Sequence, residues 1–280
     1  MLVLTILSVL LVVLIGLGLY ARSEPLLATH SLWHLLSSSE WKPMKGAFGF
    51  FPFIMGTLWV TSIAITIALP LCLLTGIYIH EYAHARIRNM IVPLIELLSG
   101  IPPVVFGVWG VLFIVPFIAD HVAKRFVDFS TGYSVLAGGI VLAIMIFPLI
   151  ISILLEVFNT VPKEMKDASL SLGATQWQTI KFVLLKKSLP GVIAAAVLAI
   201  SRAFGETIAV MMVCGNMPDV PHSLFDAGYP LPALIANNYG EMMSVPLYDS
   251  ALLFSALILF VIIFVFNAMS RYVLTRIEMK

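Results

Sequence analysis

Six apolar stretches, at residues 2–20, 54–79, 91–118, 133–158, 190–214 and 250–270, dominate this chain of 280 residues. Each is near or above the ~20 residues a helix needs to cross the roughly 30 Å hydrocarbon core of a bilayer. No water is present there to bond a free amide or carbonyl, so a lone crossing segment must be helical. The predicted fold is therefore all-α and polytopic, a single membrane domain over 1–280 with six transmembrane helices. Composition agrees: 60% of residues are hydrophobic and 11% charged, whereas soluble domains carry about 25% charge. A net charge of +1 without a long basic run argues against a nucleic-acid partner. Cys72 and Cys214 lie inside apolar stretches without metal-ligand spacing and read as packing residues. The first stretch lacks a basic leader and a convincing cleavage site, so it is expected to stay as a span, a signal peptide being the alternative.

Lys and Arg set the orientation. With both termini in the cytoplasm, inside segments hold Arg86, Arg88, Lys163, Lys166, Lys181, Lys186, Lys187, Arg271, Arg276 and Lys280; outside segments hold only Arg22, Lys42, Lys45, Lys124 and Arg125. The positive-inside bias thus predicts inward termini. Loops 21–53, 119–132 and 215–249 then face outward, and 159–189 faces inward. The last outward loop has no Lys or Arg but carries Asp219, Asp226, Glu241 and Asp249, and its prolines suit either a rigid docking ledge or a solvated loop.

The inward loop reads as two short helices with a sharp joint. Pro162 suits a first turn, since its missing N–H has no partner to lose. Lys163 to Leu172 is predicted helical and stopped by Gly173, and Thr175 with Gln178 forms a capping box opening a second helix through Leu185. Ala168, Ser169 and Ser171 are small enough for close apposition to another surface. An amphipathic linker and a docking element both satisfy these features.

Arg202 and Glu206 stand in an otherwise apolar segment. Left unpaired at bilayer depth, each costs roughly 2.5–3.5 kcal/mol. A spacing of four puts both on one face of a continuous helix. A guanidinium is charged at every physiological pH and offers a planar fork of donors to an oxyanion. Glu206 can pair with it when no anion is present and compete with the anion for release, so Arg202, Glu206 and neighbouring Thr207 are candidate pathway residues; a purely structural pair is the plainer alternative. At Gly100-Ile101-Pro102-Pro103 the third stretch is expected to break or kink; a packing kink is the plainer reading, free amides at a helix restart that could meet an anion the alternative. Glu96 and Glu156 fall near span ends, where interfacial solvation or pairing accounts for them.

His80-Glu81-Tyr82-Ala83-His84 spells H-E-x-x-H, two histidines on one helix face with a glutamate able to act as base to zinc-bound water. A membrane zinc protease is the rival reading. Three fixed letters match often by chance, no distal ligand motif is apparent, and Arg86 with Arg88 suits the end of a helix, where cations meet the negative dipole. No metal site is therefore expected.

Asp167-Ala168-Ser169-Leu170-Ser171-Leu172-Gly173-Ala174 resembles the EAA loop of ABC-importer permeases, with Asp167 for the usual Glu, Ser169 for Ala, and Lys186 where a proline commonly precedes Pro190-Gly191. Arg202-Ala203-Phe204-Gly205-Glu206-Thr207-Ile208-Ala209-Val210, running on to Gly215-Asn216, is similar to phosphate-importer permeases of the PstC type, as are Gly49-x-x-Pro52…Gly56-Thr57, Glu81-Tyr82 and Glu96-Leu97-Leu98-Ser99-Gly100-Ile101-Pro102. The resemblance spans about residues 46 to 272. It implies a type I ABC importer permease of a bacterial cytoplasmic membrane, not an enzyme, importing inorganic phosphate. Asp167, Ala168, Ser169 and Gly173 would then belong to the coupling helix seated on the ATPase. Implied partners are a second homologous permease, a dimeric ATP-binding subunit and an external phosphate-binding protein. No cofactor is expected in this chain; ATP and Mg²⁺ fall to the partner ATPase, since no G-x-x-x-x-G-K-[ST] loop occurs here. Molybdate or sulfate is the alternative cargo, because a Gly-Glu pair at this place also occurs in permeases for those anions; the Thr-Ile-Ala-Val continuation favours phosphate.

Overall fold

A computed structural model describes residues 2–127, 129–241 and 244–278. Among these, six helices are long and apolar enough to cross a membrane. In chain order the elements are α1 (Leu2–Thr29), α2 (Leu32–Ser37), a hairpin of β1 (Trp41–Lys42) and β2 (Ala47–Phe48), and α3 (Phe51–Tyr82). Then follow α4 (Ala85–Ser99), α5 (Pro103–Arg125), α6 (Val135–Asn159), α7 (Lys163–Ser171) and α8 (Gln176–Phe204). Last come α9 (Ile208–Val213), α10 (Leu231–Asn238) and α11 (Tyr248–Glu278). The crossing helices are α1, α3, α5, α6, α8 and α11.

Helix α6 is the centre of the bundle. Ser134 starts it, its Oγ accepting the Ala137 N–H at 3.2 Å. Val141, Leu142, Ile146, Ile150, Leu154 and Phe158 are buried along its length. With lipid as apolar as leucine, helices meet closely through small residues. A Cβ on Gly139 would lie 2.4 Å from Ile63 Cγ2 of α3, and one on Gly191 of α8 would lie 2.4 Å from Val157 Cγ1. These contacts clamp α3 and α8 to opposite stretches of α6. Helix α1 runs beside α11, with Gly16 against Phe260, and leaves its apolar side chains exposed as a lipid-facing helix does.

At one end of the bundle a second core closes around Trp41, whose ring centroid lies 4.9 Å from Phe53, 5.5 Å from Phe50 and 5.7 Å from Phe48. Leu231, Leu234, Tyr248 and Phe254 complete it, so the hairpin, α10 and the start of α11 form one packed platform. The other end carries Arg86, Arg88, Lys163, Lys166, Lys181, Lys186 and Lys187, and is called the basic end below. Lys280 lies outside the described residues.

The helix bounds depart from the apolar stretches in three instructive places. Helix α1 continues past residue 20 to Thr29, since Arg22, Ser23 and Glu24 are good enough helix formers beyond the lipid. The third stretch does not merely kink: α4 stops at Ser99, Pro102 is extended, and a new helix starts at Pro103, so the crossing segment is Pro103–Arg125 rather than 91–118. Two successive prolines remove two amide donors, and the residue before a proline disfavours helical backbone. The fifth crossing begins at Gln176, not 190, and ends at Phe204, not 214; the second short helix of the inward loop does not stop at Leu185 but runs unbroken into the membrane.

The close α3–α6 contact generates a prediction. Gly139→Val inserts a branched side chain where Ile63 already sits, and should destabilise the detergent-solubilised protein by about 1–3 kcal/mol, read as a lower midpoint of thermal unfolding. An unchanged midpoint would contradict the packing described.

Candidate functional site

Arg202 lies in the last turn of α8, where a cation meets the negative end of the helix dipole. Ala194, Leu198 and Arg202 form an exposed ridge on α8, while Ser188, Ala195, Ala199 and Ala203 face inward. The Arg202 side chain is exposed and makes no hydrogen bond or ion pair within the described residues. Beside it, Ser201 Oγ donates to Asn267 Oδ1 at 2.9 Å, tying this end of α8 to α11.

Gly205, a weak helix former, ends α8, and its N–H falls back on the Arg202 carbonyl at 3.2 Å. Glu206 is therefore not on a helix with Arg202, and the expected pairing along one helix face is absent. Instead the half-buried Glu206 carboxylate accepts the Ala209 N–H at 3.3 Å and caps α9. It lines a narrow crevice with Thr57, Thr61, Pro230 and Pro232, directed at α3 and the platform rather than at Arg202. Thr207 donates its hydroxyl to the Gly205 carbonyl at 3.2 Å. The sequence motif thus builds a break in the membrane helix with a fixed cation just before it. Irregular backbone within the hydrocarbon region is tolerated only against protein or a water-filled path.

At the basic end, α7 and the capping box form as the residue pattern predicts. Gly173 holds φ +85 and stops α7. Thr175 Oγ1 accepts the Gln178 N–H at 3.2 Å while Gln178 Oε1 accepts the Thr175 N–H at 2.8 Å. Asp167 lines an open cleft between α7 and α8 together with Leu170, Gln176 and Thr179. Ser169 shares a hydroxyl–hydroxyl hydrogen bond of 2.9 Å with Thr179, fastening α7 to α8, and Ala168 stands beside it as a small residue.

The H-E-x-x-H residues do not share a helix face. The last turn of α3, Tyr78–Tyr82, is widened to π geometry, Ala83 and His84 are extended, and α4 begins afresh at Ala85. Arg86 and Arg88 therefore open α4 instead of closing α3; Arg88 Nη2 donates to Asn159 Oδ1 at 3.2 Å, a cation at the negative end of α6. Glu81 is engaged elsewhere: Lys166 Nζ donates to its Oε1 at 2.5 Å and His80 Nδ1 lies 2.7 Å from the same oxygen. Gln176 Nε2 donates to the Glu81 carbonyl at 3.1 Å. Sequence reasoning missed this cluster, because a Glu at 81 and a Lys at 166 share no spacing that signals contact; Lys166 entered only as one of several inward cations.

Valine at the left-handed stop tests the loop. Gly173→Val should cost roughly 1–2 kcal/mol of local order, seen as faster amide hydrogen exchange over residues 163–179 with the crossing helices unchanged. Unaltered exchange would remove the role given to Gly173.

A family model described as the binding-protein-dependent transport system inner membrane component matches residues 68–279. The chain is 34% identical to the phosphate transport system permease protein PstC of Mesorhizobium japonicum, over 98% of this chain and 88% of that one. It is 40% identical to a probable ABC transporter permease, YqgH, of Bacillus subtilis, over 86% and 77%. It is 34% identical to a probable phosphate permease PstC of Methanocaldococcus jannaschii, over 86% and 81%. Among solved structures, an inward-facing MetNI methionine ABC transporter superposes with a TM-score of 0.62 at 17% identity, covering 85% of this chain and 99% of that one. A bacterial alginate ABC transporter gives 0.61 at 14%, covering 82% and 81%. The fold is that of type I ABC importer permeases, and the chain belongs to the inner membrane components of binding-protein-dependent transport systems.

Proposed function

We propose that this chain is a membrane-spanning subunit of an ATP-driven importer that carries inorganic phosphate across the cytoplasmic membrane, with Arg202 meeting the anion in the path. It is a transport subunit and catalyses no covalent step. The observation that carries the reading is an exposed guanidinium beside a helix break, in a chain about one-third identical to named phosphate permeases over most of its length. Arg202 lies fifteen residues beyond Lys187, about 22 Å along the helix at 1.5 Å per residue. If Lys187 marks the inner interface, Arg202 falls in the outer half of a roughly 30 Å hydrocarbon core. A bare cation facing lipid there is costly, so the ridge of Ala194, Leu198 and Arg202 faces a second permease and the conduit between the two halves. The Arg202 fork would bind sulfate or molybdate by the same chemistry; the Thr207-Ile208-Ala209-Val210 continuation and the relatives' names favour phosphate.

The basic end is then read as facing the cytoplasm, with both termini inside, a reading supported by the positive-inside bias of Arg86, Arg88, Lys163, Lys166, Lys181, Lys186 and Lys187. There α7, with Asp167, Ala168 and Ser169, seats on a dimeric ATP-binding subunit that holds ATP and Mg²⁺. The platform around α10 receives a phosphate-binding protein outside. Closure of the ATPase dimer pushes α7 and reverses which side the path opens to. Glu206, as the cap of α9, keeps the break ordered and is turned away from Arg202.

Arg202→Gln removes the charge but keeps hydrogen-bonding reach. It should lower phosphate uptake by about 100-fold, the equivalent of losing roughly 3 kcal/mol of charge-assisted hydrogen bonds, while the complex still assembles. Normal uptake by an assembled mutant would remove Arg202 from the path.

A further inference from the structure

The cluster around Glu81 has no place in anion binding, yet it joins three elements. Lys166 of α7 and His80 both reach Glu81 Oε1, and Gln176 at the start of α8 donates to the Glu81 carbonyl. The Glu81 and Lys166 side chains are only 13% and 15% exposed. Burying such a pair costs desolvation that the attraction only partly repays, and apolar residues of the same size commonly serve stability as well. What the pair supplies is a fixed position of one element against another.

Those elements are well chosen. Helix α3 runs from Phe51 to Tyr82 through Pro70 and a widened last turn, and its far end is tied to the platform: Thr57 Oγ1 accepts the Leu231 N–H at 2.9 Å, and Gly56 packs on the Tyr229 backbone, which a Cβ would meet at 3.2 Å. Residues 57 and 81 are separated by twenty-four positions, about 36 Å of helix. One helix therefore touches α7 at the basic end and the α10 platform at the other.

We infer that Glu81 is a positioning residue whose ion pair with Lys166 makes α7 and α3 move as one body. A push on α7 then reaches the platform across the membrane through α3, besides entering α8 directly. This rests on the proposed importer function. The joint stays closed throughout the cycle, and breaking it lets α7 move without α3. ATP hydrolysis then continues while less phosphate is carried per ATP.

The test uses the whole importer in proteoliposomes, both permeases and the ATPase, with phosphate-loaded binding protein, measuring ATP hydrolysis and phosphate uptake together. E81Q and K166M should each lower phosphate moved per ATP about tenfold in a complex of normal yield, and the double variant should be no worse than either single one. A wild-type ratio in either single variant, or losses that multiply in the double, would overturn the joint. A second arm covers variants that fail to assemble. E81C/K166C is bridged with a short bifunctional methanethiosulfonate, the native Cys72 and Cys214 being buried. The bridged importer should keep its uptake within about twofold. Loss of uptake that returns when the bridge is reduced would mean that α7 and α3 separate during the cycle, and the inference fails. Absence of phosphate uptake by the unmodified importer counts against the phosphate reading alone; the bridge is then read on ATP hydrolysis stimulated by the binding protein, inhibition again overturning the joint.

Discussion

Every backbone N–H and C=O inside hydrocarbon must find its partner within the protein. Six crossing helices answer that demand, and the places where the chain departs from it are where its chemistry concentrates. At 205–207 the helical ladder is interrupted beside a cation, and the freed groups are bonded by a Glu206 carboxylate, the Arg202 and Ala203 carbonyls and a Thr207 hydroxyl. A second break, at 83–84, ends α3, and Glu81 in the turn just before it holds α7 through Lys166. An unbroken span would have needed none of these devices.

The bundle around those breaks is rigid for a simple reason. Helix α6 is buried on nearly every side, and glycines at 138, 139 and 191 bring α3 and α8 within side-chain contact of it. Packed interiors of this kind transmit displacement instead of absorbing it. A force applied at α7 therefore meets two routes, one through the Ser169–Thr179 hydrogen bond into α8 and one through Glu81 into α3, and both helices pack along α6.

Much of this was legible in the residues alone. Apolar length gave six crossings, Gly173 and the Thr175–Gln178 pair gave the joint after α7, and Arg202 stood out by its charge. What escaped was set by local backbone and tertiary contact. The Pro102-Pro103 pair separates two helices where hydropathy suggests one kinked stretch, because hydropathy does not register lost amide donors. A spacing of four puts Glu206 on a continuous helix with Arg202, but Gly205 ends that helix one residue earlier and the carboxylate turns to α9. The H-E-x-x-H string presupposes regular helix through residue 84, and a widened last turn removes that geometry. The Glu81–Lys166 pair joins residues far apart in sequence, a contact no spacing rule reports.

The central claim is that this chain shapes a path for phosphate with Arg202 as its fixed cation. The most direct measurement is uptake and ATP hydrolysis by the reconstituted importer, with the cognate binding protein, in parallel phosphate, sulfate and molybdate. The account predicts that phosphate alone drives both activities in the unmodified protein. Stimulation by sulfate or molybdate in place of phosphate, or by none of the three, would contradict it.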